Sequence, residues 1–412
     1  MTNAYSYDIV IVGGGAAGIG VAASLRKRNA SLTIAIIEPA SKHYYQPAWT
    51  LVGAGEFDGA KTERNMADCI PRNVTWLKAA ATTFEPELNV VNTDHSGAIH
   101  YQYLIVASGL QINWQAIKGL DETLGKNGVT SNYRFDLAPY TWQLVQNLKA
   151  GTAIFTQPPM PIKCAGAPQK ALYLSCSHWE EKAVLANIKV DFNNAGAVLF
   201  GVKEYVPPLM QYIDRYHAQL SFNSNLVEVD GPKKKAWFDE KDASGNVTRV
   251  EKNFDLLHVV PPQSAPDFIK QSPLANSDGW VDVNQATLQH NRFSNIFSLG
   301  DVCSSPNAKT AAAARKQAVI VAENLLAHAS KKDMSSLYDG YGSCPLTVEK
   351  GKIILAEFGF GGRLLPTFPW DSTVPRKFNW LLKKYGLPWI YWNGMLKGRE
   401  WLARCKKLEN FK

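Results

Sequence analysis

Two cysteines, far apart in the chain, stand in surroundings that suit thiol chemistry. Cys164 lies in the stretch PIKCAGAPQK, next to Lys163 and just before a helical pattern that runs from residue 170 to residue 181. A thiol near a helix N-terminus and beside lysines has a lowered pKa, and the thiolate is the reactive form. Cys344 lies in YGSCPL, which reads as a turn-like loop outside the core. No local motif joins the two, so their proximity is an inference.

Other cysteine and histidine patterns point to little further chemistry. The six cysteines include no C-x-x-C pair and no mixed Cys/His spacing, so we expect no metal site. Cys69, Cys176 and Cys405 read as small packed residues. Cys303 is the rival for a redox role, because it follows Asp301 by two residues. No histidine has the partner spacing of a catalytic triad.

The N-terminus carries a dinucleotide-binding fingerprint in the expected context. A β-branched run, Tyr7 to Val12, leads into Gly13-Gly14-Gly15-Ala16-Ala17-Gly18, then a helical pattern and a second strand that ends at Glu38. Gly13 allows the tight turn, Gly15 lets backbone approach a pyrophosphate, and Gly18 lets the helix pack on the strand. The helix N-terminus offers free N–H groups to phosphate, and Glu38 can accept hydrogen bonds from ribose hydroxyls.

Two later segments resemble the two-dinucleotide-binding flavoprotein superfamily. One strand ends in Ala107-Ser108-Gly109, and another ends in Gly300-Asp301 before a strong helix pattern from Lys309 to Ala329. The resemblance implies FAD, with Asp301 on the ribityl chain. It also implies that the helix start lies beside the flavin, where its dipole would stabilise negative charge on the reduced ring.

The second nucleotide loop of the superfamily's NADH-using members is missing. The strand-like run that begins at Gly151 leads into Gln157-Pro158-Pro159-Met160-Pro161 rather than a glycine-rich turn. Proline has no N–H to give a phosphate, and its φ is fixed. We therefore expect electrons from a donor other than NADH.

The chain is similar to the sulfide:quinone oxidoreductase family, particularly its mitochondrial branch, over roughly residues 7 to 400. The motifs that carry the resemblance are GGGAAG, KHYYQP, PIKCAGAPQK, SLGDVCSSPNAKTAAAARKQ and GYGSCPL. The resemblance implies that Cys164 and Cys344 are the redox pair. With the fingerprint above, it predicts an FAD site formed by Gly13, Gly15, Ala16, Ala17, Gly18, Glu38, Gln46, the region of Ala81, Gly109, Asp301, Lys309, Ala311 and Ala312.

The family's reaction sets the expected partners. Hydrogen sulfide would be oxidised through a Cys164/Cys344 disulfide, or trisulfide, and a persulfide. Two electrons would pass through FAD to ubiquinone or menaquinone, and the sulfur to a small acceptor (sulfite, glutathione, cyanide or sulfide). Phe358 and Phe360 are candidates to sandwich the quinone ring. The alternatives are a type II NADH:quinone oxidoreductase, which would need the missing loop, and a flavin-bearing sensor without turnover.

The C-terminal tail predicts attachment to a membrane surface. Residues 374–412 hold ten of the 44 Lys/Arg and two of the 36 Asp/Glu, so this segment accounts for the whole formal charge of +8. Aromatic residues and lysines interleave there, as in interfacial segments. Phe378 to Tyr385 reads as a short amphipathic helix broken by Gly386 and Pro388. The rest of the chain is balanced, which disfavours nucleic acid.

The sequence indicates association with a membrane surface without a membrane span. No apolar run approaches the length of a membrane span, and we find no signal or transit peptide. The expected location is therefore peripheral, on the cytoplasmic face of a bacterial inner membrane. The tail also leaves open a lid on the core or a homodimer interface.

The predicted fold is α/β, with two Rossmann-like domains of the FAD-dependent disulfide-oxidoreductase type and a C-terminal membrane-associating segment. We expect a discontinuous FAD domain at 1–112 and 275–330. A degenerate second domain would cover 113–274, and a cap with the membrane segment 331–412. Polar and apolar residues alternate from Lys233 to Phe254 around Ser244-Gly245-Asn246, which predicts a hairpin.

Overall fold

The structure, a computed structural model, describes residues 5–306, 308–403 and 406–407. Its first strands are β1 Tyr5–Val12, β2 Ile34–Ile37, β3 Lys42–Tyr44, β4 Glu63–Asn65, β5 Thr75–Leu77, β6 Ala81–Glu85, β7 Val90–Thr93, β8 Ala98–Val106, β9 Gln111–Ile112, β10 Val129–Thr130, β11 Gly151–Gln157 and β12 Ile188–Asn194. The later strands are β13 Gln219–Phe222, β14 Ser224–Asp230, β15 Lys235–Lys241, β16 Val247–Asn253, β17 Leu256–His258, β18 Gln263–Ser264, β19 Ile296–Ser298, β20 Ser336–Leu337, β21 Gly342–Glu349, β22 Lys352–Phe358 and β23 Lys406–Lys407.

Along the chain, the α-helices stand between consecutive strands. They are α1 Ala16–Arg28, α2 Trp49–Val52, α3 Met66–Cys69, α4 Ala138–Asn147, α5 Ala167–Glu181, α6 Val206–Arg215, α7 Asp267–Lys270, α8 Ala311–Ala329, α9 Lys377–Leu381 and α10 Leu387–Trp389.

The first large sheet has the strand order β5-β2-β1-β8-β7-β6, with β19 beside β8. Strands β1, β2, β5, β8 and β19 run parallel, and Val12 pairs with both Ile37 and Val106. Ile9, Val10 and Ile11 are fully buried, as expected of a parallel strand covered on both faces. The carboxyl ends of β1, β2, β8 and β19 therefore meet at one edge, where this class of sheet binds ligands.

The second large sheet is parallel, in the order β10-β17-β11-β12-β13, and α5 follows β11. The parallel strands of the first, mixed sheet and the parallel second sheet confirm the predicted α/β class with two Rossmann-like units. Strands β14, β15 and β16 form a separate antiparallel sheet, in which β15 and β16 are the predicted hairpin. The first sheet takes its strands from 5–106 and 296–298, and the second from 129–258. The exact domain boundaries stay a prediction.

Strand β21 corrects the turn-like loop expected around Cys344. It pairs antiparallel with β22 along Gly342–Glu349 and packs against α5. Cys344, Leu346 and Val348 alternate along the strand and are all buried, so the thiol lies in the core of the second unit. The prediction that Cys344 lies outside the core was wrong. Pro345 and two nearby glycines are typical of turns, so they obscured the alternating pattern of a buried strand.

The C-terminal helical segment, residues 377–397, corrects a second expectation. Gly386 and Pro388 do not break it: α9 continues through π-helical turns at 382–386 and 390–394 and through α10. Pro388 has no N–H to donate, and it directly follows the π-helical turn at 382–386, where the regular i→i−4 hydrogen-bond ladder is already interrupted. Of the predicted membrane segment, residues 404, 405 and 408–412 lie outside the described residues. Across the described chain, no helix combines the length and apolarity that crossing a bilayer requires.

Candidate active site

The sulfurs of Cys164 and Cys344 lie 3.3 Å apart. The structure thus confirms the proximity that the sequence could only infer. The distance exceeds the ~2.05 Å of a disulfide bond, and both residues are free thiols here. A direct S–S bond needs only a small approach, and a single bridging sulfur atom also fits between positions this close. Their catalytic roles stay a prediction.

The loop between β11 and α5 presents Cys164 in an unusual conformation. Cys164 has φ +84°, and its carbonyl accepts a 2.6 Å hydrogen bond from the Ala167 N–H. A non-glycine residue at such a φ costs ~1–3 kcal/mol, so the surrounding contacts must hold it. Gly166 follows, and a Cβ there would lie 2.7 Å from the Cys344 sulfur. The absence of a side chain at Gly166 therefore lets the two cysteines meet.

A buried ammonium polarises the pair. The Nζ of Lys170, in the first turn of α5, lies 3.2 Å from the Cys164 sulfur. A hydrogen bond from the Cys344 thiol and the charge of Lys170 hold the pKa of Cys164 well below its usual value. The pKa of Cys344 is raised, because its proton is shared with the Cys164 thiolate and because it is buried. Cys164 is therefore the thiolate of the pair, as its lysine-rich surroundings predicted.

Replacing Lys170 with methionine should slow alkylation of reduced Cys164 by iodoacetamide at pH 7 at least about tenfold. A unit charge this close to a thiolate contributes more than ~1.4 kcal/mol even at an effective dielectric constant near 20. Mass spectrometry of the labelled peptide gives the rate. Lys182→Met, at the exposed far end of α5, is the matched control and should label at the wild-type rate. Equal rates in both variants would contradict the assigned role of Lys170.

Lys163 connects the cysteine loop to the predicted flavin residues. Its backbone pairs with that of Lys309, and its Nζ donates to the Gln46 Oε1 at 2.7 Å. The ammonium of Lys163 also interacts electrostatically with Asp301, and burial lowers its pKa to about 8. Burial raises the pKa of the Asp301 carboxyl, against the charges of Lys309 and Lys163. Lys163 therefore brings the cysteine loop close to three predicted cofactor residues: Gln46, Asp301 and Lys309.

The glycine-rich loop has the shape that its sequence predicts. Gly13 has φ +108°, and a Cβ there would lie 2.5 Å from the Ala107 oxygen. At Gly18 a Cβ would lie 1.8 Å from the Gly13 oxygen, so helix α1 packs directly on the turn. At Gly15 a Cβ would meet nothing within 4 Å, which leaves open space over an uncapped helix N-terminus. That space fits a pyrophosphate.

Glu38 is placed to bind a ribose at the edge of this space. Its Oε2 accepts from the Gly14 N–H at 2.7 Å and its Oε1 from the Ala40 N–H at 2.8 Å. Each carboxylate oxygen keeps a further lone pair for a hydroxyl donor. The donor set and the open loop therefore fit the nucleotide half of FAD. Gly109, with φ +73°, also borders open space.

The structure places the remaining predicted cofactor residues at the starts of α1, β6 and α8. Ala16 and Ala17 begin α1, and Ala17 lies under Gly300, where a Cβ would come within 2.9 Å of it. Ala81 begins β6, shortly after the strand β5 that pairs with β2. Ala311 and Ala312 form the first turn of α8 and are half-buried.

Lys309 lies outside the helix that the sequence assigned to it. The helix begins at Ala311, and the Thr310 side chain caps it by accepting from the Ala313 N–H. The Lys309 ammonium donates to the Asp301 carbonyl at 2.6 Å and lies 3.8 Å over the Trp280 ring. The Lys309 ammonium is thus hydrogen-bonded to the turn that carries Asp301.

Phe358 and Phe360, the quinone candidates, each pack against a different aromatic ring. Phe358 contacts Phe200 edge-on at 5.9 Å, and Phe360 contacts Tyr338 edge-on at 5.6 Å. A sandwich between the two phenylalanines therefore stays a prediction.

The other described cysteines are buried, and burial raises the pKa of each: Cys69, Cys176 and Cys303. Cys303 donates to the Gly300 carbonyl at 3.2 Å, which suits a packed residue beside the Gly-Asp turn. Cys405 lies outside the described residues. Within the residues that the structure describes, no cluster of His, Cys, Asp and Glu could hold a metal ion.

Sequence reasoning missed two neighbours of the cysteine pair. The Tyr133 hydroxyl donates to the Lys163 carbonyl at 3.2 Å, and burial raises its pKa. Lys383, in the C-terminal helical segment, is buried and interacts electrostatically with both sulfurs. Neither stands near a cysteine in sequence, so no local pattern could have marked them.

Comparison with known proteins agrees with this geometry. Residues 7–145 match the family "Pyridine nucleotide-disulphide oxidoreductase". The chain is 44% identical over 399 residues to the mitochondrial sulfide:quinone oxidoreductase of Dictyostelium discoideum, covering 96% of this chain and 87% of that protein. It is 39% identical to the mouse mitochondrial enzyme of the same name, with coverages of 95% and 87%. The structure also resembles the sulfide:quinone oxidoreductase of the bacterium Aquifex aeolicus, with a TM-score of 0.75, 18% identity and coverages of 95% and 92%.

Proposed function

Since the chain belongs to the sulfide:quinone oxidoreductase family, we propose that it oxidises sulfide at Cys164 and Cys344 and passes the electrons to a membrane quinone. The observation that carries this proposal is the 3.3 Å contact of the two sulfurs beside the buried Lys170. Enzyme class and flavin dependence follow from the family. The residue roles, FAD itself, the sulfur acceptor and the membrane contact are our proposals.

The first step is attack of hydrosulfide on the bridged cysteine pair. The nucleophile forms a new S–S bond with the Cys344 sulfur while the bond to Cys164 breaks. The electron pair of that bond leaves with Cys164 as a thiolate. Lys170 stabilises this leaving group, and thiolates of low pKa leave faster. Cys344 then holds a persulfide. In a resting trisulfide, the same attack would form the Cys344 persulfide and leave the bridging sulfur on Cys164 as a persulfide anion.

The second step releases the sulfur. A small thiophilic acceptor (sulfite, glutathione, cyanide or a second sulfide) attacks the outer sulfur of the Cys344 persulfide and takes it away. The pair is left with two reduced sulfurs and one proton, and re-forming their bond releases two electrons. FAD, when bound, supplies the two-electron carrier that accepts these electrons and reduces a quinone. The open loop at Gly15, with Glu38, Asp301 and the start of α8, would hold it.

The quinone is a lipid, so the enzyme must reach a membrane. Four exposed side chains, Phe378, Leu381, Tyr385 and Trp389, recur at three- and four-residue spacing along the C-terminal helical segment. Trp389 stacks on the exposed Trp401, with ring centroids 5.4 Å apart. A surface-lying helix with such a stripe fits peripheral attachment to a bilayer. The mitochondrial relatives do not support the bacterial inner-membrane location expected above.

Anaerobic titration of the purified yellow protein tests the proposal. Sulfide should bleach the flavin absorbance with an acceptor such as sulfite present, and decyl-ubiquinone should restore it. NADH in place of sulfide should leave the spectrum unchanged, because β11 runs into Pro158 and Pro159 rather than a glycine loop. Bleaching by NADH but not by sulfide would favour a type II NADH:quinone oxidoreductase instead. No response to either donor would favour a sensor.

A further inference from the structure

Two buried lysines from distant parts of the chain act electrostatically on the cysteine pair. Lys170 is 2% exposed and Lys383 is 5% exposed. Both interact electrostatically with both sulfurs. Lys170 belongs to α5, the helix directly after Cys164, whereas Lys383 comes from the C-terminal helical segment that carries the exposed aromatic stripe. The proposed mechanism assigns a role to Lys170 but none to Lys383.

The contacts of Lys383 hold its ammonium on the inner side of the segment. Its Nζ donates to the Pro47 carbonyl at 3.1 Å, and Pro47 follows Gln46, which accepts from Lys163. One turn before Lys383, Trp380 packs in a buried cluster with Leu174 of α5. The segment thus packs on β22 and shares a buried cluster with the helix that carries Lys170.

Lys383 lies in the first of the two π-helical turns, at 382–386. Such turns are frequent at functional sites, because the wider turn redirects side chains. Trp380 and Lys383 are buried, while Leu381 and Tyr385 are exposed. One short stretch of helix therefore presents apolar groups to the outside and a cation to the interior, where it acts electrostatically on the sulfur pair.

The charged groups around Lys383 indicate what its ammonium stabilises. The charged and titratable groups that act on it are Lys170 of α5, Cys164 of the preceding loop and Cys344 of β21. Burial, and then repulsion from Lys170, lower the pKa of Lys383 to about 7, while the two sulfurs oppose this. None of these groups, in the part of the chain that the structure describes, is a carboxylate. The negative charge that stabilises the Lys383 ammonium is therefore the Cys164 thiolate, and each favours the charged form of the other.

We propose that Lys383 is a positioning residue of the sulfur site, which holds the leaving Cys164 thiolate together with Lys170. The C-terminal segment would then complete the sulfur site from its inner face while its outer face contacts the membrane. This inference rests on the proposed function. It adds that sulfur chemistry depends on the segment even without a membrane or quinone.

The test compares neutral and charged replacements of Lys383 in the full-length, detergent-solubilised flavoprotein. The rate constant of sulfide-dependent flavin bleaching, measured anaerobically by stopped flow, should fall about tenfold or more in Lys383→Met. Lys383→Gln, which keeps a donor for the Pro47 carbonyl, should fall similarly. Lys383→Arg should retain most of the rate. Lys384→Met is the matched control, because Lys384 pairs with Glu56 at 2.9 Å and Glu56 keeps Lys350 as a partner.

A second readout does not need turnover. In the reduced protein, alkylation of Cys164 by iodoacetamide should be slower in Lys383→Gln than in wild type. The difference should be largest near pH 6 and shrink toward about pH 8, because Lys383 loses its charge as the pH rises through its pKa of about 7.

The outcomes separate the two proposals. Wild-type bleaching and wild-type alkylation in both neutral variants would overturn the role of Lys383 and leave the proposed function standing. A wild-type protein that does not respond to sulfide would overturn the proposed function, while the alkylation comparison would still decide whether Lys383 supports the thiolate. Loss of rate in Lys383→Arg equal to that in Lys383→Met would show a packing role and would also overturn the proposal.

Discussion

Replacing Cys344 with serine is expected to abolish sulfide-dependent bleaching of the flavin, with a rate at least about a thousandfold below wild type. The hydroxyl cannot form the S–S bond that hydrosulfide attacks, nor carry a persulfide. Cys164→Ser should show the same loss, because it removes the leaving thiolate held beside Lys170. Both variants should bind flavin as wild type does, since neither side chain forms the glycine-rich loop. Stopped-flow absorbance under anaerobic conditions gives the rates.

Cys303→Ala is the matched control for the cysteine pair. Cys303 is buried beside the Gly300-Asp301 turn, closer in sequence to the predicted flavin ligand Asp301 than Cys164 or Cys344 is. Its raised pKa and its hydrogen bond to a carbonyl indicate packing, so the variant should bleach with sulfide at the wild-type rate. If Cys303→Ala lost the reaction while Cys344→Ser retained it, the sulfur chemistry would be assigned to the wrong residues.

The parts of the fold that rest on local patterns were predictable. The run from Tyr7 to Val12, the glycine loop and Glu38 lie within forty residues and together form one strand–loop–helix–strand pattern. The structure reproduces its turn, its helix and its second strand. The hairpin around Gly245 was equally local. Errors arose where tertiary packing overrides local signals. Cys344 lies on a buried strand despite Pro345 and two nearby glycines, and the C-terminal helical segment continues through Pro388, beside its π-helical turns.

The site was predictable in its residue types but not in its geometry. Residues 180 positions apart, Cys164 and Cys344, meet because Gly166 leaves room between α5 and β21. The family resemblance supplied this pairing, which spacing alone could not. The sequence marks the two buried lysines differently. Lys170 stands near Cys164, whereas Lys383 is one of ten basic residues in the C-terminal tail and has no local sign of burial. Burial and long-range approach are properties of the folded chain, so the charge that Lys383 adds became visible only in the structure.

Changing three residues of the exposed stripe, Leu381, Tyr385 and Trp389, to serine is expected to abolish binding to lipid vesicles. Full transfer of a large apolar side chain out of water contributes ~1.5–3 kcal/mol, so even partial insertion of three should change the partition coefficient more than about a hundredfold. The three side chains are 47%, 62% and 53% exposed, so the fold should survive their removal. Co-sedimentation with vesicles of phosphatidylcholine and phosphatidylglycerol measures the bound fraction.

The control for the stripe is a second set of exposed apolar residues elsewhere on the surface. Leu88, Val198 and Val247 are 66%, 59% and 62% exposed and lie outside the C-terminal segment. Changing these three to serine removes comparable apolar surface but should leave vesicle binding at the wild-type level. In detergent, both triple variants should still bleach with sulfide, because Lys383 and Trp380 on the inner face are untouched. If the stripe variant sedimented with vesicles as fully as the control, membrane attachment would have to lie elsewhere on the molecule.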